Sequence, residues 1–461
     1  MWVLPSYGRP VQCASAVAAM IEHGSTAHGA IYVCSDDPSW PEYVGMTLPP
    51  QWQVVTMPEG MGWQPDKLNN ALRRFPDEPW YGWIADDIFA QTHGFEDALV
   101  RAAGSWGIAS GNDLWQAKAD IRKGRMHGAT VFGGDFLRAW GQWVPPGFKH
   151  WYIEDVWESL GRELGNWRTL MDVVTEHRHP FKDGAEGDET HSRANEDGVR
   201  RLGEMAYHEW RSSSFASDVF RLRQSMWAAR GLNLNMLHGR SVMFGLPCYD
   251  KVDPKREEAL MNAVYLLAQF GVRVGHLHVT GQTIHIARNA IADAFMRSDF
   301  TDLFFIDADM SFSAWDVVKF IAAPHPLLAG VGRKRAEMSL TDPATWCFHL
   351  DPKLKGVMPK DEYGMCEVAQ VGTGLMRIRR EVFEAILAND NSLLRAKDRE
   401  RKNFYAKYFA WTDDGEDEIS EDITFCRRYT DAGGKIWIDP HVGLYHYGQH
   451  GWYGCVRDIM E

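Results

Sequence analysis

Short apolar runs alternate with amphipathic stretches along most of the chain, and this alternation sets the expected architecture. "MWVLPSY" reads as a strand and "VQCASAVAAMIEHG" as a helix with small and apolar residues on one face. "GAIYVCSDD" and "WYGWIADDIF" read as further strands that run into acids. Strands and helices in this order predict an α/β domain around a largely parallel sheet. After Pro180 the polar "FKDGAEGDETHSRANEDG" reads as a surface loop, and the charged stretch from about 199 to 231 has a helical pattern. The order then restarts with the strand "SVMFGLPCYD", the helix "PKREEALMNAVYLLAQFG", the strand "VRVGHLHVTG", the helix "TIHIARNAIADAFMRSD" and the strand "LFFIDADM".

The restart is a weak internal repeat. Ile84-Ala85-Asp86-Asp87 lines up with Ile306-Asp307-Ala308-Asp309. "YIEDVWESLGRELGNWRTLMDVVTEHRHP" lines up with "ISEDITFCRRYTDAGGKIWIDPHVGLYHYG". In the first, Asp172 lies 17 residues after Asp155; in the second, Asp439 lies 17 after Asp422. A histidine follows each, His177 or His179 in one half and His446 in the other. Ordered landmarks of this kind point to two copies of one plan. The expected domains are 1–198 and 239–461 with a helical linker at 199–238, since 461 residues exceed one ordinary core.

The paired acids raise the chemical question. Two adjacent carboxylates repel unless a cation or a partner neutralises them. A strand ending in Asp307-Ala308-Asp309 delivers both to the carboxyl edge of a parallel sheet, where α/β ligand sites form. Oxygen ligands there suit Mg²⁺ or Mn²⁺ shared with a nucleotide's phosphates, and His446 would supply a further ligand. The competing reading is a helix cap, because "SFSAWDVV" follows directly. Glu421 and Asp422 stand before the helix "ITFCRRYTDAG", where acids commonly cap. As chemistry, Asp422 is the expected general base with Glu421 positioning the acceptor or the loop, and Asp155 and Glu154 take those roles in the first half.

Bulk composition narrows the class. A net charge of −13 speaks against wholesale binding to a phosphate backbone, though not against a local basic groove. Arg333, Lys334 and Arg335, and "LRAKDRERKNFYAKYFAWTDDGEDE", read as a basic helix with aromatics, are candidates for such a groove. A solvated helix with intrahelical ion pairs is the other reading. The seven scattered cysteines form no CxxC pair, so neither a disulfide framework nor a zinc site is expected. No basic leader opens the chain and no apolar run reaches the roughly 20 residues of a membrane span, so a cytoplasmic location without membrane contact is expected. The 20 tryptophans are expected mainly in cores.

"IARNAIADAFMRSDFTDLFFIDADMSF", "VGTGLMRIRREVFE" and "SEDITFCRRYTDAGGKIWIDPHVGLYHYG" together resemble GT-A fold nucleotide-sugar glycosyltransferases, family-2-like, of the kind carried by bacteriophages. "LPSYGRP", "WIADDIF", "YIEDVW" and "DVVTEHRHP" resemble a related phage type in the first half. The resemblance implies an α/β fold of two tandem GT-A (Rossmann-like) domains, each a mostly parallel central sheet flanked by helices. It implies Mn²⁺ or Mg²⁺ held by Asp309 and His446 on the diphosphate of a donor, a UDP-sugar foremost, with Asp307 at the ribose or in the metal shell. Pro247 and Tyr249 would border the base, and Arg288 would approach the diphosphate or the base. Gly372, Thr373 and Gly374 would wall the sugar and acceptor, and Asp422 would deprotonate the acceptor for displacement with inversion. In the first half Asp36 and Asp37 would read the nucleoside, Asp86 would remain near the cofactor, and Asp87 with His177 or His179 would hold the metal. Gly133, Gly134 and Asp135 would form its acceptor-side wall. Ala85 stands where the other copy has Asp307, which puts metal affinity there in doubt.

The acceptor is a hydroxyl; hydroxymethylated pyrimidine in phage DNA is the leading specific expectation, and it would require the base to be turned out of the stack. Protein, lipid-linked and polysaccharide hydroxyls stay open. Two alternatives compete: one catalytic copy beside an acceptor-binding or structural copy, and a nucleotidyltransferase, which also pairs aspartates with Mg²⁺. The donor sugar and the oligomeric state are not legible in the sequence.

Overall fold

A computed structural model describes residues 1–114, 128–178, 192–193, 197–335, 345–350, 358–398, 403–413, 415, 418–448 and 451–456. The chain divides into two compact units, Met1–Met226 and Trp227–Glu461.

The first unit is built on β1 (Trp2–Pro5), β2 (Gly29–Cys34), β3 (Trp52–Met57), β4 (Trp80–Trp83), β5 (Ile88–Ala90), β6 (Ile108–Asn112), β7 (Thr130–Gly133) and β8 (Trp167–His177). Their order across the sheet is β3-β2-β1-β4-β7-β6-β8-β5. β1, β2, β3 and β4 run parallel, β7 lies antiparallel between β4 and β6, and β8 runs parallel to β6. β1 and β2 are almost wholly buried, which is why "WVLP" and "GAIYVC" read as unbroken apolar runs. Gly82 on β4 lies under the Trp2 ring, where a Cβ would come within 2.2 Å of a ring carbon. Trp2, Trp140, Trp143 and Trp157 are fully buried in this core.

The second unit repeats the scheme with β9 (Ser241–Cys248), β10 (Arg273–Thr280), β11 (Asp302–Ile306), β13 (Leu327–Gly330), β15 (Cys366–Val368), β17 (Leu375–Arg379) and β22 (Ile436–Ile438), in the order β10-β9-β11-β17-β13-β22-β15. Again one strand, β17, is antiparallel between two others, and the central pairs β9–β10, β9–β11 and β13–β22 are parallel. A separate small sheet joins β12 (Met310–Ser311), β23 (Gly443–Tyr447) and β24 (Gly451–Cys455). Three short antiparallel pairs complete the unit: β14 (Phe348–His349) with β16 (Gln370–Val371), β18 (Leu394–Asp398) with β19 (Asn403–Ala406), and β20 (Thr412–Asp413) with β21 (Glu418–Ile419).

Mapped strand for strand, β2-β1-β4-β7-β6-β8 of the first unit corresponds to β10-β9-β11-β17-β13-β22 of the second, with the same strand reversed. Each unit is therefore a mostly parallel α/β sheet, as the sequence pattern implies.

Two expectations are corrected. The segment expected as a basic helix contains the strands β18 and β19, because a charge-rich run carries no apolar period to fix its type. The stretch 199–238 is not a bare linker. Its helices Asp197–Ser213 and Phe215–Ala228 place Trp210, Val219 and Leu222 in the first unit's core, and Leu232 and Leu237 belong to a core of the second. The polar loop after Pro180 falls almost entirely outside the described residues.

Candidate functional site

Asp307 and Asp309 follow β11 at the carboxyl edge of the second unit's sheet. They do not cap the next helix. Ala314–Ala322 is capped by Ser313, with Asp316 closing a reciprocal capping box, so both aspartates are left for other work. The chain folds back so that Met310 of β12 is the direct partner of His446 on β23, and Tyr447 N donates to the carbonyl of Asp309 at 2.8 Å. This ladder fixes His446 against Asp309, with Nε2 3.4 Å from Oδ2.

The imidazole's tautomer follows from its other nitrogen. Nδ1 lies 2.8 Å from the carbonyl of Arg333, which can only accept, so Nδ1 carries a hydrogen. Nε2 then faces a carboxylate and needs a proton or a metal ion between them; orienting a ligating histidine through a backbone carbonyl is the usual outer-shell device. Burial is the largest single influence on His446 and lowers its pKa, but the hydrogen bonds to Asp309 and to the Arg333 carbonyl, with the charge of Asp309, together outweigh it and the pKa lies above its ordinary value. For Asp309, burial is outweighed by His446 and by Arg335 (3.2 Å), and its carboxyl is held below the usual range. The side chains of Asp307, Asp309 and Arg335 are 29%, 31% and 49% exposed, so this edge is open to solvent.

Arg288, on the helix Ile284–Arg297, is buried and holds two carboxylates, Asp307 at 2.9 Å and Glu421. Glu421 is itself buried, and burial raises its pKa against the pull of Arg288. Asp422 is oriented by Ser420 Oγ and by Ile423 N (2.8 Å), both on Oδ1. Its Oδ2 faces the backbone of Gly372, 3.6 Å from where a Cβ there would stand. Gly374 closes the same wall, its carbonyl accepting from Asp307 N at 3.2 Å, and the Thr373 hydroxyl is buried with no partner among the described residues. The second unit thus gathers Asp307, Asp309, His446, Arg288, Glu421, Asp422 and Gly372–Gly374 at one edge. Pro247 is buried at the end of β9, and Tyr249 just beyond it is 75% exposed.

The first unit has the same ladder. Ile88 of β5 pairs with His177, Arg178 N donates to the carbonyl of Asp87 at 2.9 Å, and His177 Nε2 lies 3.4 Å from Asp87 Oδ2. Burial is the largest single influence on His177 and lowers its pKa, but the bond with Asp87 and the charges of Asp87, Asp113 and Glu154 together outweigh it and the net shift is upward. Asp86 is buried between Ser6 Oγ (2.6 Å) and Arg9 (3.0 Å), and burial with the neighbouring charge of Asp87 pushes its pKa to about 6. Glu154 is pushed to about 7, by burial first and by Asp155 second, with His177 opposing. Asp37 is buried in a turn, accepting from Gly8 N and Ser39 N at 2.9 Å, and the exposed Asp36 accepts from Gly60 N at 3.2 Å. His179 lies outside the described residues.

One assignment is corrected. Gly133 pairs with Trp80 at the start of β4, and Gly134 and Asp135 open the helix Gly134–Trp140 there, at the opposite end of the strand from Asp87. Because β7 runs antiparallel, the residues of that chain segment nearest the acid-bearing end of β4 are Gly128 and Ala129, just before Thr130, which pairs with Trp83. The equal spacing to Asp172 and Asp439 also joins unlike residues: Asp439 is buried on Lys319, whereas Asp172 is exposed.

Three residues were not singled out by sequence patterns as parts of a site. Arg9 bridges Asp86 and Asp87; its only local signal is its place just before the helix Pro10–Glu22. Cys347 has its thiol pushed up to about 11 by burial, with Asp422, Asp307 and Asp309 adding to the shift and Lys334 opposing. Lys67 is buried against the carbonyl of Ser6 at 2.6 Å. Among the described residues no three His, Cys, Asp or Glu side chains form a metal cluster, and no helix is long and apolar enough to cross a membrane.

What these two sites define by themselves is a class: α/β units with acid–histidine ladders at the carboxyl edge of the sheet. No protein-family model and no curated protein matches the chain. Solved structures similar to it include the mannosyltransferase PcManGT from Pyrobaculum calidifontis in complex with GDP-Man and Mn2+, at 12% identity, covering 50% of this chain and 74% of that one, TM-score 0.31. TarS 1-349 of S. aureus is similar at 11% identity over 51% of this chain and 83% of that one, TM-score 0.31. A197 from STIV is similar at 15% identity over 45% of this chain and 86% of that one, TM-score 0.28. At such scores these are likenesses only, and the fold rests on the strand order described above.

Proposed function

We propose that the chain is a glycosyltransferase with tandem GT-A-like units, of the type carried by bacteriophages, and that its second unit transfers a sugar from a nucleotide-diphosphate donor, a UDP-sugar foremost, to a hydroxyl. The observation that carries this reading is the convergence of Asp309–His446, the Asp307–Arg288–Glu421 chain and Asp422 at one open sheet edge. Asp309 and His446 fit a divalent cation: an oriented imidazole and a carboxylate 3.4 Å apart supply two ligands, and Mg²⁺ or Mn²⁺ characteristically leave the rest to phosphate and water. Bound there, the cation would stabilise negative charge on a departing diphosphate.

The protein's own groups do the remainder. Arg288, fixed by Glu421, holds Asp307 toward the nucleotide side. Gly372 leaves room beside Asp422 for an acceptor, and the Thr373 hydroxyl is available to a ligand. Asp422, its Oδ1 already engaged, offers Oδ2 to take the acceptor's proton, in keeping with single displacement and inversion. In the first unit Glu154 and Asp155 hold the corresponding place near His177. The acceptor we favour is a hydroxymethylated pyrimidine in DNA, reached across the basic loop Arg333–Arg335.

The test incubates the full chain with Mn²⁺, a panel of nucleotide sugars, and hydroxymethylcytosine DNA beside saccharide acceptors. Release of nucleoside diphosphate that disappears in Asp309→Ala and Asp422→Asn supports the reading. Release of pyrophosphate would make the chain a nucleotidyltransferase, and no turnover of any donor would remove the transferase reading.

A further inference from the structure

The two acid–histidine ladders share a backbone but differ in what neutralises the acids. In the first unit one guanidinium nitrogen, Arg9 NH1, lies 3.0 Å from Asp86 Oδ1 and 3.4 Å from Asp87 Oδ2, the same oxygen that faces His177. That is the bridging position a divalent cation would need. We infer that Arg9 permanently stands in for the cation there, so that the first unit takes no metal of its own.

Three features make Arg9 a fixture. Its side chain is 6% exposed, and those of Asp86 and Asp87 are 7% and 15% exposed, so the charges are enclosed together. Its backbone is tied down, with N donating to Tyr43 Oη at 2.8 Å and the carbonyl accepting from Cys13 N at 3.0 Å within the first turn of the helix Pro10–Glu22. Tyr43 Oη also bonds Ser6 Oγ at 2.6 Å, and Ser6 Oγ donates to Asp86 Oδ2. Both oxygens of Asp86 are therefore engaged, one by Ser6 and one by Arg9, and the next candidate ligand position is Ala85.

The second unit is built the other way. Asp307 and Asp309 are neutralised by separate arginines, and the one on Asp309, Arg335, is half exposed on a loop. A solvated guanidinium on a long stem yields to a divalent cation, because an exposed pair is weak. A buried guanidinium cannot leave without stranding buried carboxylates, and it would repel a cation brought beside it.

The experiment counts bound Mn²⁺ by electron paramagnetic resonance on the full chain, with and without UDP, alongside thermal melts. The expected result is one Mn²⁺ per chain, unchanged in Asp87→Asn and lost in Asp309→Ala. Arg9→Gln should gain one Mn²⁺, seen also as a metal-dependent rise in its melting temperature, a readout that survives if the variant is marginal without metal. Two Mn²⁺ in the wild type, one of them lost in Asp87→Asn, overturns the inference, and so does an Arg9→Gln chain that gains none. A wild type that binds no Mn²⁺ would instead sink the metal reading of the second unit, on which only the comparison rests, while the Arg9→Gln arm still decides this one.

Discussion

Arg288 shows how much of the site hangs on single side chains. It is the buried counter-charge of Glu421 and the partner of Asp307. Arg288→Met should destabilise the chain by about 3–5 kcal/mol, as removing one partner of a buried pair does. Adding Glu421→Gln should recover most of the loss, which paired melts would read. Lys67 gives a pH signature. Burial, with Arg193 adding, lowers its pKa from 10.5 to about 8, against the pull of Asp37. The unfolded chain therefore holds the proton longer, so stability is flat below pH 8 and rises between pH 8 and 10.5, by on the order of 3 kcal/mol in full. Urea midpoints at pH 7.5 and 10 should show that rise in the wild type and not in Lys67→Met. At this scale the sequence reveals acids that end strands and the histidines that follow in order. Arg9 and Cys347 escape it, because what makes them notable is contact with residues some 75 positions away, for which no local pattern exists.

Elements explain why some of these positions tolerate change. The helix Ala314–Ala322 is held at its start by Ser313 and Asp316. Ser313→Ala should cost about 1 kcal/mol and speed amide exchange in the first turn, while Mn²⁺ affinity at Asp309 is unchanged. That outcome separates capping from binding, and a loss of affinity would mean the aspartates depend on the cap. A Cβ at Gly372 would meet only ordinary contacts, 3.5 Å from Cys347 and 3.6 Å from Asp422. Gly372→Ala should therefore keep its melting temperature, yet reduce transfer tenfold or more by crowding the acceptor; unchanged turnover would move the acceptor elsewhere. The central strands and helices are legible because burial on both faces leaves long apolar runs. The β18–β19 pair is not, since its charges carry no period, and which end of β7 lies beside the acids is not legible because nothing in the sequence says that β7 runs backwards.

For the whole molecule, each unit closes around its own core, the first on one cluster and the second on two that face opposite sides of its sheet. Residues 227–461 expressed alone should melt cooperatively and keep the Mn²⁺-dependent shift with UDP; an unfolded product would show that the second unit needs the first. The strand order matches across the units although residue identity is low, because a sheet's register is set by where apolar and small residues fall, and many sequences satisfy it.

The bridge made by Arg9 has a consequence for how such a chain changes over generations. Losing Arg9 first would strand two enclosed acids, and losing Asp86 first would strand an enclosed cation, so neither single step is neutral. The arrangement behaves as a ratchet that only the metal releases: a chain that loses Arg9 stays balanced only where a divalent cation enters the vacated position, so the single step back to a metal-binding copy is open only while that metal is at hand. The neighbouring unit, with its exposed Arg335, remains free to drift in either direction.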